Sequence, residues 1–240
     1  LEKLKGLFLY YLSNYLRSYK SILPIFLYIF AVAVNYGYTP NPILDSYSLT
    51  SLVLFFVMGW IVVTVFHAED FGQRQITLLH AKNKRKYYLT LILVCMLMGC
   101  LLSIFAVAYP IIMNSFGVKV HLVHIIMGFL SHFILSVLAI SLSAIFTREV
   151  VKNRANTWWG VLSILIFSVV IVSVKEKILY VSGLIWLLPP VHLSLEIMGA
   201  DDGIKTIPLI YFLQFGWIVV YSIFLVGLFL ILVRYRRLDQ

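Results

Sequence analysis

Residues 87–113 read YYLTLILVCMLMGCLLSIFAVAYPIIM, a run without a charged side chain. A helix needs about 20 apolar residues to cross a bilayer, so this stretch predicts one complete crossing. Working outward from it, five further runs predict spans near Ile22–Tyr36, Ser51–His67, Leu122–Phe146, Thr157–Val174 and Ile207–Val233. Pro24 falls in the first turn of its span, where a missing N–H is tolerated. The prolines, glycine and aspartate of NYGYTPNPILD then break any helix. The expectation is an all-α, polytopic membrane protein with six transmembrane helices, forming one transmembrane domain over residues 1–240.

Composition excludes most alternatives. Of 240 residues, 62% are hydrophobic and 12% charged, and the mean hydropathy is +0.97. Soluble domains carry roughly a quarter charged residues, and a small chain cannot hide this apolar surplus in a core. The net charge of +9 forms no basic stripe alternating with polar surface, so nucleic acid is not an expected partner. Cys95 and Cys100 lie in one apolar run and point to different sides of a helix, which argues against a disulfide between them. No signal-peptide pattern opens the sequence.

The basic residues orient the chain. Lys3, Lys5, Arg17 and Lys20 precede span one, and Arg74, Lys82, Lys84, Arg85 and Lys86 follow span two. Arg148, Lys152 and Arg154 follow span four, and Arg234, Arg236 and Arg237 follow span six. These fifteen fall on one side, against Lys119, Lys175, Lys177 and Lys205 on the other. The positive-inside rule therefore places both termini in the cytoplasm of a multi-pass plasma-membrane protein.

Two segments depart from the pattern of spans and loops. In residues 1–20, LEKLKGLFLYYLSNYLRSYK, apolar residues and tyrosines recur every three or four positions, with lysines and arginine filling much of the other side. That predicts an amphipathic helix lying in the lipid headgroups. Residues 178–206 include an apolar run, Ile178–Val191, that is too short to cross and is interrupted by Pro189 and Pro190. It predicts a re-entrant helical hairpin at the outer leaflet between spans five and six, with Leu193–Met198 as a second short helix.

Catalytic signatures are absent: the sequence contains no GxxxxGK[ST], HExxH, GxSxG or GxGxxG. His121 and His124 share a helical face, but no cysteine or carboxylate joins them nearby, and they read as interfacial histidines rather than metal ligands. His192 and Glu196 form the nearest approach to an intramembrane protease pair and lack a second cluster. No metal and no bound cofactor is expected, nor enzymatic activity in this chain. Within the spans, Gly128, His132, Ser136, Ala139 and Ser143 share one face of span four. Such a face suits close helix packing or lines a path. Gln214 and Asn35 are similar polar candidates. No Asp, Glu, Lys or Arg lies mid-span, which argues against an ion-driven carrier.

The segment 69–86 is the most informative. Glu69 and Asp70 precede Phe71, Gly72, Arg74, Ile76, Leu78 and Leu79, and the basic run containing Arg85 closes it. The pattern predicts a short cytoplasmic helix whose apolar side packs on the bundle or a partner, with an Asp70–Arg74 pair at i,i+4. The segment resembles the coupling-helix region of ABC-2-type transporter permeases in Glu69, Gly72, the Leu78–Leu79 pair and Arg85. It departs from that pattern at Gln73, where threonine is common, and in lacking a proline after the leucine pair. The resemblance implies a permease subunit working with a separate ABC ATPase that holds the ATP and Mg, and with a second permease copy. Small permeases of this kind resemble those of bacterial peptide-toxin and lantibiotic exporters, which implies an amphipathic peptide as cargo. A non-transporting immunity or scaffold protein is the alternative reading.

Overall fold

The computed structural model describes residues 2–81, 83–151, 153–178 and 184–235. The described residues form ten helices: α1 (Glu2–Arg17), α2 (Ile22–Asn35), α3 (Ile43–Phe66), α4 (Phe71–Ala81), α5 (Lys84–Ile112), α6 (Leu122–Ile145), α7 (Arg154–Ile178), α8 (Leu184–Leu187), α9 (Val191–Met198) and α10 (Leu209–Tyr235). Residues 179–183 of the expected hairpin lie outside the described residues, as do Lys82, Lys152, Arg236 and Arg237 of the basic set.

α3, α5, α6, residues 155–173 of α7, and α10 are each long and apolar enough to cross a membrane. The sixth expected span differs. α2 has 14 residues, about 21 Å of helix against a hydrocarbon core of about 30 Å. It counts as a span only together with α1, from which it is bent by 75°. Tyr19 makes the break: its φ of 57° is left-handed and cannot continue a helix. Lys20 then donates to His67 O at 2.8 Å, at the C-terminal end of α3. A cation there satisfies a carbonyl left over at a helix end. Thus the chain is an all-helical membrane protein with five apolar helices of spanning length, and six if α1 and α2 are one broken span.

α3, α5 and α6 form the core, with α6 packed on both partners and on α10. Close approach depends on small residues. A Cβ on Gly128 of α6 would sit 2.8 Å from the Tyr47 ring of α3, and one on Gly99 of α5 would sit 3.0 Å from Ser136. Polar side chains fasten the same seam. Thr50 Oγ1 lies 2.9 Å from His132 Nε2, and His132 Nδ1 lies 2.7 Å from Gly128 O. Ser131 joins Ser194 of α9 at 2.9 Å. In hydrocarbon such bonds matter because water offers no substitute partner.

α9 is wedged among α3, α6, α7 and α10, burying Val191, Ile197 and Met198. It is therefore a packed piece of the bundle. α1 likewise packs inward, with Tyr11 and Tyr15 buried while Leu9 and Leu16 are exposed.

At the end of the bundle opposite α4, one carboxylate organises several elements. Asp202, in the turn after α9, accepts from Ile43 N at 2.8 Å and Leu44 N at 2.9 Å. This cap lets α3 begin at Ile43, eight residues before the expected Ser51, despite the preceding prolines. His124 Nε2 contacts Asp202 O at 2.9 Å, while His124 Nδ1 accepts from His121 N at 3.1 Å. The two histidines thus cap α6 and bind the Asp202 turn to it.

Replacing Asp202 by Ala should lower stability by about 0.5–2 kcal/mol, the range for loss of a side chain that caps a helix N-terminus. The exposed Asp201→Ala change should leave it unaltered. Thermal unfolding in detergent, followed by intrinsic fluorescence, distinguishes the two.

Candidate functional site

The chain leaving α3 turns at Ala68 and enters α4 through Asp70. The Asp70 carboxylate accepts from Gln73 N at 2.8 Å, an N-cap that satisfies one of the helix's free donors. Glu69, directly before it, points inward and is 3% exposed. Tyr11 OH donates to Oε2 at 2.9 Å and Tyr87 OH to the same oxygen at 3.0 Å. Thr77 Oγ1 donates to Oε1 at 2.9 Å and Tyr10 OH at 3.2 Å. A carboxylate offers about four lone-pair positions, and here four hydroxyls fill them. The donors come from α1, α4 and α5, so one buried acid joins three helices to the end of α3. The tyrosine rings pack edge-on around it, Tyr11 on Tyr87 at 5.4 Å and Tyr87 on Tyr88 at 4.9 Å.

A second acid lies beside this cage. Glu149, in the turn between α6 and α7, is 5% exposed and pairs with Arg74 of α4. Tyr88 OH donates to Glu149 Oε2 at 2.7 Å and accepts from Arg74 Nη2 at 3.1 Å. Arg148 Nε lies 3.4 Å from Glu149 Oε1, and its Nη1 donates to Glu69 O at 3.0 Å. Burial works against the Arg74 charge, yet with Glu149 and Tyr88 beside it the guanidinium pKa stays raised above its ordinary value. The expected Asp70–Arg74 pair gives way to these bonds: Asp70 caps the helix and Arg74 reaches Glu149.

The nine residues expected at this site divide by direction. Glu69, Arg74 and Leu78 face the bundle, and Asp70 caps the helix. Phe71, Gly72, Ile76, Leu79 and Arg85 are exposed. The division inverts the usual amphipathic arrangement. Arg74 and Thr77 face inward because two buried carboxylates need donors, and the apolar side is left outward. Phe71 is 56% exposed, Ile76 60% and Leu79 77%. At helical spacing these three side chains share one broad face.

Of the polar candidates inside the spans, His132, Ser136 and Ser143 are fully buried on the packing side of α6. Asn35 lies at the end of α2 and Gln214 on α10, both half-buried and apart from that face. Their amide atoms Asn35 Nδ2 and Gln214 Oε1 find no hydrogen-bond partner among the described residues. Among the described residues no group of three or more His, Cys, Asp or Glu side chains is placed to hold a metal.

Sequence reasoning missed Glu149 and the tyrosine donors. Tyr10 and Tyr11 lie mid-way along α1, within the segment expected in the headgroups, and Tyr87–Tyr88 read only as the start of the third span. Glu149 was the one acid within the basic segment TREVVKNRAN, and that contrast was the available signal. What the geometry defines is a helical membrane bundle with a rigidly seated amphipathic helix at one end. No protein-family model, curated protein or solved structure matches the chain.

Tyr11→Phe and Tyr87→Phe should each destabilise the protein by about 1.5–3 kcal/mol, the worth of a hydrogen bond to a charged group. Both donate to one oxygen, so each partly covers for the other. The double variant, which leaves that oxygen bare, should therefore lose more than the two losses added together. Chemical unfolding of the three variants measures this directly.

Proposed function

We propose that this chain is the transmembrane permease subunit of an ABC exporter. The observation that carries the reading is the exposed Phe71, Ile76 and Leu79 face of α4, presented by a helix whose other side is fixed by buried charges. An apolar face held outward in this way suits a protein partner. The resemblance of residues 69–85 to coupling helices makes that partner an ABC ATPase carrying the ATP and Mg. The basic residues at this end orient it toward the cytoplasm by the positive-inside rule, with α1 along the inner headgroups and the α8–α9 segment toward the outer leaflet.

The peripheral helices fit a second permease copy. Only 28% of the apolar windows of α7 and α10 is buried, against 67% for α3 and α6. That leaves surface for lipid and for a paired subunit, between which a path would run. Aromatic, weakly polar spans without mid-membrane charges favour an amphipathic peptide as cargo, moved by energy delivered from outside the membrane domain.

The experiment is affinity purification of the full chain, tagged, from membranes co-expressing the P-loop ATPase encoded nearest to it. The wild type should retain the ATPase, and Phe71→Ala, Ile76→Ala and Leu79→Ala together should lose at least about tenfold of it, as loss of an anchor cluster does. Thermal stability should remain, because all three side chains are exposed. Absence of ATPase from the wild-type preparation, or undiminished retention by the triple variant, would sink the proposal.

A further inference from the structure

We infer that Arg74, Tyr88 and Glu149 clamp α4 to the α6–α7 turn, so that these two segments move as one body. The covalent chain ties α4 to α3 and α5 alone. Its tie to the α6–α7 turn comes from Arg74, whose guanidinium meets Glu149 and the Tyr88 hydroxyl together. Tyr88 closes the triangle by donating to Glu149 at 2.7 Å.

The turn that presents Glu149 is itself braced. Val150 N and Val151 N both bond Thr147 O at 2.9 Å, and Thr147 Oγ1 donates to Ala144 O at 2.8 Å. Arg148 then reaches across to Glu69 O, linking this clamp to the tyrosine cage. The Arg74 and Glu149 side chains are only 14% and 2% exposed. A pair removed from water to this degree resists separation, since each charge alone would be left without compensation.

The clamp itself stands on geometry; its consequence rests on the permease reading. A displacement imposed on α4 would reach α6 and α7 through Glu149, as well as α3 and α5 through the chain. α6 lies at the centre of the core and α7 at its edge, so this route delivers motion to a helix with room to move.

The test uses the full chain in phospholipid nanodiscs, with Cys95→Ala and Cys100→Ala and spin labels at His80→Cys and Asn153→Cys, both exposed positions. Electron–electron distance measurements should give one narrow distribution. Arg74→Gln and Glu149→Gln should each broaden it, and the double variant should be no broader than either single change. Tyr88→Phe, which removes one oxygen, should broaden it less and covers the case in which a Gln variant does not fold. Unchanged distributions in Glu149→Gln or in Tyr88→Phe would overturn the clamp.

A second arm measures ATP hydrolysis by the co-purified ATPase. Glu149→Gln should lower permease-coupled hydrolysis about tenfold while the ATPase stays bound. Full coupling despite a broadened distribution would overturn the proposed route. A wild-type chain that binds no ATPase, with labels still responding as described, would defeat the permease reading and leave the clamp supported.

Discussion

A carboxylate moved out of water must be given hydrogen-bond donors, because the penalty for leaving it bare is several kcal/mol. Glu69 meets that constraint with hydroxyls from three helices, and much of the architecture at this end of the bundle follows. α1 must stay close enough for Tyr10 and Tyr11 to reach, which is consistent with its sharp turn away from α2. α4 must present Thr77 inward, which fixes its rotation about its own axis. α5 must begin with its tyrosines beside the cage, so the basic run before it is left at the surface. Moving any one of these helices would cost the acid a donor.

The opposite end is pinned by a related device of different chemistry. Asp202 uses backbone N–H groups in place of hydroxyls, capping α3 and drawing in the α6 N-terminus through His124. Between the two ends, the core depends on shape: glycine against tyrosine, glycine against serine, and a few buried hydroxyl and imidazole bonds. The α3–α5–α6 unit is therefore tied at both ends and tightly packed in the middle. α7 and α10 share less of their surface with it. If the bundle has two arrangements, the physical expectation is that the peripheral helices rearrange around this unit.

The spans were legible because a bilayer demands long apolar runs, and α5, α6 and α10 lie within a few residues of where the sequence places them. The start of α3 was not legible, since its cap comes from Asp202, 158 residues from Leu44. The position of the break between α1 and α2 was legible from the change of an amphipathic pattern to an apolar one after Lys20. The 75° bend there was not, since it depends on the backbone angle at Tyr19. At the candidate site the sequence located the right segment but not its inner and outer faces. Leu78 and Leu79 look equivalent as letters, yet one is buried and the other is the most exposed apolar residue of α4. Their fates are set by Glu69 and Glu149, and Glu149 is far away in sequence.

The same electrostatics explains why α4 keeps an apolar face outward. Rotating the helix to bury Phe71, Ile76 and Leu79 would recover about 1.5–3 kcal/mol for each side chain fully removed from water. It would also separate Arg74 from Glu149 and Thr77 from Glu69, and breaking a buried ion pair alone costs about 3–5 kcal/mol. The hydroxyl bonds to Glu69 add to that penalty. The two sides are of similar size, so the apolar face stays outward only because the charged network is complete. A protein partner covering that face would recover the hydrophobic term without disturbing the network. The exposed face and the buried acids are thus two halves of one arrangement: the acids set the rotation of α4, and that rotation leaves a surface for something else to cover.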